Sequence, residues 1–197
     1  YEDGEIAYPL FGDDGLSTYK SFVLRNAGND WEQGSKYRDA AIQQVLRGKV
    51  DLETQDFQPV VMYLNGEYWG LINMRERFGE DYFAGYYDYA DDIDLLKYCN
   101  DSSYNFRAQK GDTKRLGELM TYLANNSMSD DANYQYVKNH YIDVDNMINY
   151  YIAQLFSQNT DWPTNNMRMW RPRTENGKFR FPWYDADFGY GLSGGDA

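Results

Sequence analysis

Cysteine and histidine are almost missing from this sequence: Cys99 and His140 each stand alone. A single cysteine excludes an internal disulfide and any multi-cysteine zinc site. A single histidine makes a two-histidine metal centre, a zinc-deaminase centre or a histidine-based triad hard to build. Chemistry is left to carboxylates, amides and cations, and His140 reads as a surface or helix residue. Glycine and proline are not in excess, at 17 and 5 of 197 residues, so the chain is neither fibrous nor low in complexity. No run of about 18 apolar residues is present to span a bilayer. Tyr1 opens the chain without a basic and then apolar leader. A start on tyrosine reads as an excised or processed piece, and twenty tyrosines against one cysteine fit a bacterial protein exported to the cell surface or beyond it.

Basic residues are the minority, 19 against 31 acidic ones, for a net charge of −12. Nucleic acid is therefore not an expected partner, because its binding needs Lys and Arg to neutralise phosphates. The acid surplus suits a solvated surface, or a site that concentrates divalent cations. Hydrophobic residues at 42% and aromatic residues at 18% make a globular composition. The length allows one sizeable core, or two small lobes sharing an interface.

Several elements can be read along the chain. Residues 17–25, STYKSFVLR, predict a strand, and AGND at 27–30 a turn. From Ser35 to Gly48 the spacing of Tyr37, Ala41, Val45 and Leu46 predicts an amphipathic helix with Ser35 as N-cap. Two β-rich runs flank Asn65-Gly66, the pair that favours a type I′ hairpin. Residues 79–112 are irregular apart from an apolar stretch from Ile93 to Leu96, and read as a crossing segment. Helices are expected over Lys114 to Ala124 and Asp143 to Phe156, the second with Met147, Tyr151 and Leu155 in a stripe widened by Ile148 and Ile152. A polar loop, NTDWPTNN, then leads to two strand-like runs joined at Glu175-Asn176-Gly177. Trp69, Trp162 and Trp183 read as packing residues.

The chemistry-bearing residues lie late in the chain. Protein kinases carry a catalytic-loop Asp and, five residues on, an Asn, one to orient the attacking hydroxyl and one to hold a metal beside the phosphates. Asp161 and Asn166 stand at that spacing, after a long helix and before a strand pair. Asp187-Phe188-Gly189 follows, matching the kinase metal motif. Asp185 and Asp187, as alternate residues of an extended strand, would point to one face and approach one ion of magnesium or manganese. A twelve-residue calcium loop starting at Asp185 does not fit, since Gly189 and Tyr190 stand where a ligand and a glycine are needed.

The segments LNGEYWGLINMRER, NTDWPTNN and FPWYDADFGYG, in that order, resemble the CotH spore-coat protein kinases, from about Phe22 to Gly191. The resemblance implies a divergent α+β, protein-kinase-like, two-lobed fold without the usual glycine-rich loop. An antiparallel sheet with one helix would form the N-lobe, approximately 1–78, and a mostly helical, incomplete C-lobe would take 79–197. It also implies transfer of phosphate from ATP, with Mg2+ or Mn2+, to Ser or Thr of exported or coat proteins. Asp161 would be the catalytic carboxylate and Asn166 a metal-site amide. Either Asp185 or Asp187 would be the principal metal ligand. The literal Asp-Phe-Gly favours Asp187, whereas the family's Trp-Asp-x-Asp ending favours Asp185, displaced here by Tyr184. For the nucleotide, Arg25 is expected as the phosphate-gripping cation held by Asp39, Arg38 as a second phosphate contact, and Glu76 as the contact to the base. A non-catalytic exported module that shows aromatic residues to glycan or protein is the alternative reading, and a metal-dependent hydrolase a third.

Overall fold

The computed structural model describes residues 4–31, 34–87, 92–100, 105–163 and 165–192. Strand β1 (Phe22–Arg25) is followed by a tight turn of 3-10 helix over Gly28–Trp31 and by helix α1 (Arg38–Leu46). Asn65 and Gly66 both take positive φ, 51° and 85°, as a type I′ turn demands. They fold β2 (Phe57–Leu64) back on β3 (Glu67–Glu76), with Val60 opposite Ile72 and Val61 opposite Leu71. The first sheet is antiparallel in the order β1-β3-β2. This leaves Pro59, which has no N–H to give, on an edge strand where none is required.

Helix α1 departs from its expected form. It begins at Arg38 rather than Ser35, whose hydroxyl donates to Asp30 at 2.8 Å instead of capping. Its buried face carries Asp39, Ala40, Ile42 and Gln43, while Tyr37 and Val45 are exposed. The helix turns polar residues inward because they have partners there.

The segment expected to be irregular holds three elements. Helix α2 (Glu80–Tyr87) is followed by β4 (Ile93–Cys99) and β5 (Asn105–Lys110). Strand β6 (Arg168–Pro172) completes a second antiparallel sheet in the order β5-β4-β6. As the central strand, β4 buries Ile93, Asp94, Leu95 and Leu96 in succession, so it shows no alternation in sequence. Asp94 is neutralised by Arg171 across the ladder, at 2.9 Å.

Helices α3 (Lys114–Asn125), α4 (Asp131–His140) and α5 (Val144–Ser157) follow β5. Asp130 caps α4 and Asp143 caps α5, each accepting from a first-turn N–H, and Gln158 closes α5 at φ 53°. Of the expected core stripe of α5, Met147 packs partly buried on the core, while Ile148, Tyr151, Ile152 and Leu155 are exposed. Tyr150, Ala153 and Gln154 are buried in their place. Against them pack Phe179, Phe181 and Trp183. Trp162 is partly buried on the same core, whereas Trp69 is exposed on β3 and packs in no core.

The last run, expected as a strand, keeps only isolated bridges at Phe179 and Arg180. It is fixed by tertiary bonds instead. Arg180 meets Asp51, Glu53 and Asp143, the Phe181 N–H donates to Asn146 Oδ1 at 2.7 Å, and the Trp183 N–H donates to the Glu53 carbonyl at 2.8 Å. The chain is thus α+β, with two three-stranded antiparallel sheets and five α-helices among the described residues. The glycine-rich tail after Leu192 lies outside them. No helix among the described residues is long and apolar enough to cross a membrane.

Candidate active site

The staked run ends in Asp185-Ala186-Asp187, where β1, α1 and the start of the 3-10 turn meet it. Asp185 adopts φ 55°, so the segment is not extended and strand alternation does not align the two carboxylates. They converge all the same, because the Arg25 guanidinium donates from Nη2 to Asp185 Oδ1 and to Asp187 Oδ2, the latter at 3.2 Å. Asp187 Oδ2 also accepts from the Asn29 N–H at 2.7 Å. Its other oxygen, Oδ1, is buried with no hydrogen-bond partner among the described residues. Burial pushes the Asp187 carboxyl above the usual range and the Asp185 charge adds to this, while Asn29 and Arg25 work against it. Burial disfavours the Arg25 charge, but Asp185 and Asp187 outweigh it and raise its pKa.

Asp161 and Asn166 meet directly. The Asn166 amide donates to Asp161 Oδ2 at 2.7 Å, and Asn165 donates to the same oxygen at 2.9 Å. A positive φ of 53° at Asn166 turns its side chain back onto the loop, a conformation asparagine tolerates better than most residues. Burial pushes the Asp161 carboxyl up, opposed by Asn165 and reinforced by the Asp185 charge, so the two loops share one electrostatic neighbourhood.

Helix α1 clamps the Asp185–Asp187 loop through two successive residues. Asp39, expected to hold Arg25, does not meet it. It pairs with Arg75 of β3, and its Oδ1 accepts from the Ala186 N–H at 2.8 Å. Burial, with the nearby Arg25 charge, lowers the pKa of Arg75, which still meets Asp39 as a cation at neutral pH. Arg38 is likewise not free for phosphate. Its Nη1 donates to the carbonyls of Gly189 and Tyr190 at 3.0 and 2.7 Å, and its Nε to buried Asp30 at 3.1 Å. The sequence reads Asn29 and Asp30 only as part of a turn and gives Arg75 no role, since isolated polar residues in strands and turns carry no local signal of a buried partner.

Beside the loops lies a cleft of about 450 Å³, lined by Val23, Arg77, Phe78, Leu95, Arg168 and Tyr184 among others. It is within the size range of small-molecule sites. Val23 lies two residues before Arg25, Tyr184 directly before Asp185, and Arg168 two residues after Asn166. Glu76, the expected base contact, is turned inward. Its carboxylate accepts from the Asp56 N–H at 2.8 Å and the Tyr86 hydroxyl at 2.7 Å, while its carbonyl accepts from Gln55. Arg77 and Phe78, the next residues, face the cleft in its place.

The oxygens present fit a hard divalent cation: the Asp185 carboxylate, the orphaned Asp187 Oδ1 and the Asn166 amide oxygen. Among the described residues no group of three or more His, Cys, Asp or Glu is arranged to hold a metal. Magnesium and manganese are held by one or two carboxylates together with substrate phosphate oxygens, and Asp185, Asp187 and Asn166 offer donors of that type. Comparison with curated proteins returns no match. Comparison with family models matches residues 2–195 to the family described as CotH kinase protein. With nearly the whole sequence covered by that match, the chain belongs to the CotH kinase family.

Proposed function

We propose that this chain is an ATP- and divalent-metal-dependent phosphotransferase, an atypical protein Ser/Thr kinase that modifies exported, coat or cell-surface proteins. The observation that carries this reading is the pairing of Asp161 with Asn166 on one loop and of Asp185 with Asp187 through Arg25 on the next, with the Asp185 charge felt at Asp161. The fold reading is two-lobed: the β1-β3-β2 sheet with α1 forms one lobe, approximately 1–78, and residues 79–197 form the other.

Asn166, Asp185 and Asp187 would hold Mg2+ or Mn2+, which when bound supplies the charge that neutralises the phosphate oxygens. Asp161 accepts the hydrogen bond of the acceptor Ser or Thr hydroxyl. As that oxygen bonds to the γ-phosphorus, the bond to the β–γ bridging oxygen breaks, ADP leaves with the electron pair, and the proton passes to the Asp161 carboxylate. Burial, by raising the pKa of Asp161, makes it a stronger base for this step. Arg25 keeps the two metal-loop carboxylates together by cancelling their repulsion.

Calorimetry with ATP and manganese tests the proposal. Asp185→Ala and Asp187→Ala should lose metal-dependent binding and turnover. Asp161→Ala should keep binding and lose turnover by about 10²–10⁴-fold. Absence of heat at millimolar ATP would refute it, and saturable polysaccharide binding would then favour a second reading. In that reading the chain is a non-catalytic exported module, supported by the edge-to-face pair of Tyr63 and Tyr68 and by Trp69, each more than half exposed on the β2-β3 hairpin.

A further inference from the structure

Arg168 begins β6 and lines the cleft beside Val23, Leu95 and Tyr184. It is only 8% exposed. Its guanidinium carbon lies 3.8 Å from the centroid of the Tyr184 ring, and its Nε is buried without a hydrogen-bond partner. The other buried or half-buried arginines around it each meet a carboxylate: Arg25, Arg38, Arg75, Arg171 and Arg180 are all ion-paired. Arg168 forms no ion pair among the described residues. Arg77, which lines the same cleft, forms none either and adds a second positive charge there.

A cation held out of water over an aromatic ring, with no carboxylate in ion-pair reach, recovers little of its lost solvation. In a chain of net charge −12, acids to pair it are plentiful. The arrangement makes physical sense where an anion arrives from outside. Arg25 and Arg38, which the sequence offered for that task, are already occupied by Asp185, Asp187 and Asp30.

We infer that Arg168 is the phosphate-binding cation of the cleft, its guanidinium braced against Tyr184 and donating to phosphate oxygens of the nucleotide. The inference rests on the nucleotide reading above. Arginine suits the role because a planar fork can stack on an aromatic ring and donate in plane together, whereas lysine offers only a point charge.

The test is calorimetric titration of wild type, Arg168→Leu and Arg168→Lys with adenosine, ADP, ATP and inorganic tripolyphosphate, alongside thermal melting of each variant. R168L should weaken ADP and tripolyphosphate at least tenfold, leave adenosine within twofold, and melt no lower than wild type, since it removes an unpaired buried charge. R168K should fall between the two. Equal losses for adenosine and ADP would assign Arg168 to the base and overturn the inference, as would unchanged tripolyphosphate binding. If wild type ignores adenosine, ADP and ATP yet takes tripolyphosphate in a manner that needs Arg168, the nucleotide reading fails and the anion site stands. If wild type binds none of these ligands, both fail.

Discussion

Gly28→Ala isolates how tightly the Asp185–Asp187 loop is packed against the turn after β1. Gly28 sits at φ +62°, where an L-residue costs roughly 1–2 kcal/mol more than glycine. A methyl group there would overlap Asp187 Oδ2 and stand 2.6 Å from Arg25 Nη2. Asp187 cannot retreat freely, because the same oxygen accepts from the Asn29 N–H at 2.7 Å and from Arg25 at 3.2 Å. Giving up one charge-assisted bond of this kind adds about 1.5–3 kcal/mol, for a total of roughly 3–5 kcal/mol. At about 2–4 °C per kcal/mol for a chain of this size, melting should fall by roughly 6–20 °C. Manganese binding should weaken with it. Gly12→Ala is the control: Gly12 has φ +94° and nothing within 4 Å, so it carries the backbone cost alone. Scanning calorimetry of the two variants with and without manganese separates the terms. Equal melting and equal manganese affinity in G28A and G12A would refute the close approach of Gly28 to Asp187.

Asp39→Asn keeps an acceptor for the Ala186 N–H but leaves buried Arg75 without its counter-charge, and should cost about 3–5 kcal/mol in urea unfolding. A loss below about 1 kcal/mol would show that the pair is not buried as described. Burial raises the Glu76 pKa above 4.5, so the folded state holds that proton more tightly than the unfolded one. The stability this contributes is complete below about pH 4.5 and is lost as pH rises through the folded value. Glu76→Gln should therefore gain on wild type between pH 4.5 and 7, and parallel urea midpoints across that range would count against it. Trp69→Ser, at an exposed position, should change unfolding free energy by no more than about 0.5 kcal/mol, and a larger fall would mean Trp69 packs against something.

What the sequence made legible was whatever is decided locally. Asn65-Gly66 announced the hairpin because two successive positive φ values are a demand few residue pairs meet. Asp143 marked the start of α5 for a similar reason. Facing was harder to read. Helix α1 buries Asp39 and Gln43 and leaves Tyr37 and Val45 outside, so of its expected stripe Leu46 packs on the core, and of the α5 stripe Met147 does while the rest stays exposed. Asp185 and Asp187 share no strand face, since Asp185 is left-handed; what groups them is Arg25, 160 residues from Asp185 along the chain. The same distance explains the exchange of partners between Arg25 and Arg75. Both are strand arginines near α1, and only the assembled sheet decides which one meets Asp39.

The acid surplus has a consequence for how this protein answers to salt. Asp30, Asp39, Glu53, Glu76, Asp94 and Asp187 lie inside, most of them facing a guanidinium across a few ångströms of protein. Mobile ions act over a Debye length of about 8 Å at physiological strength, but only where water carries them, so these interior pairs are scarcely screened. The acids that remain outside repel one another through solvent, and salt relieves that repulsion. Added potassium chloride should therefore firm up a structure whose many ion pairs would suggest the opposite.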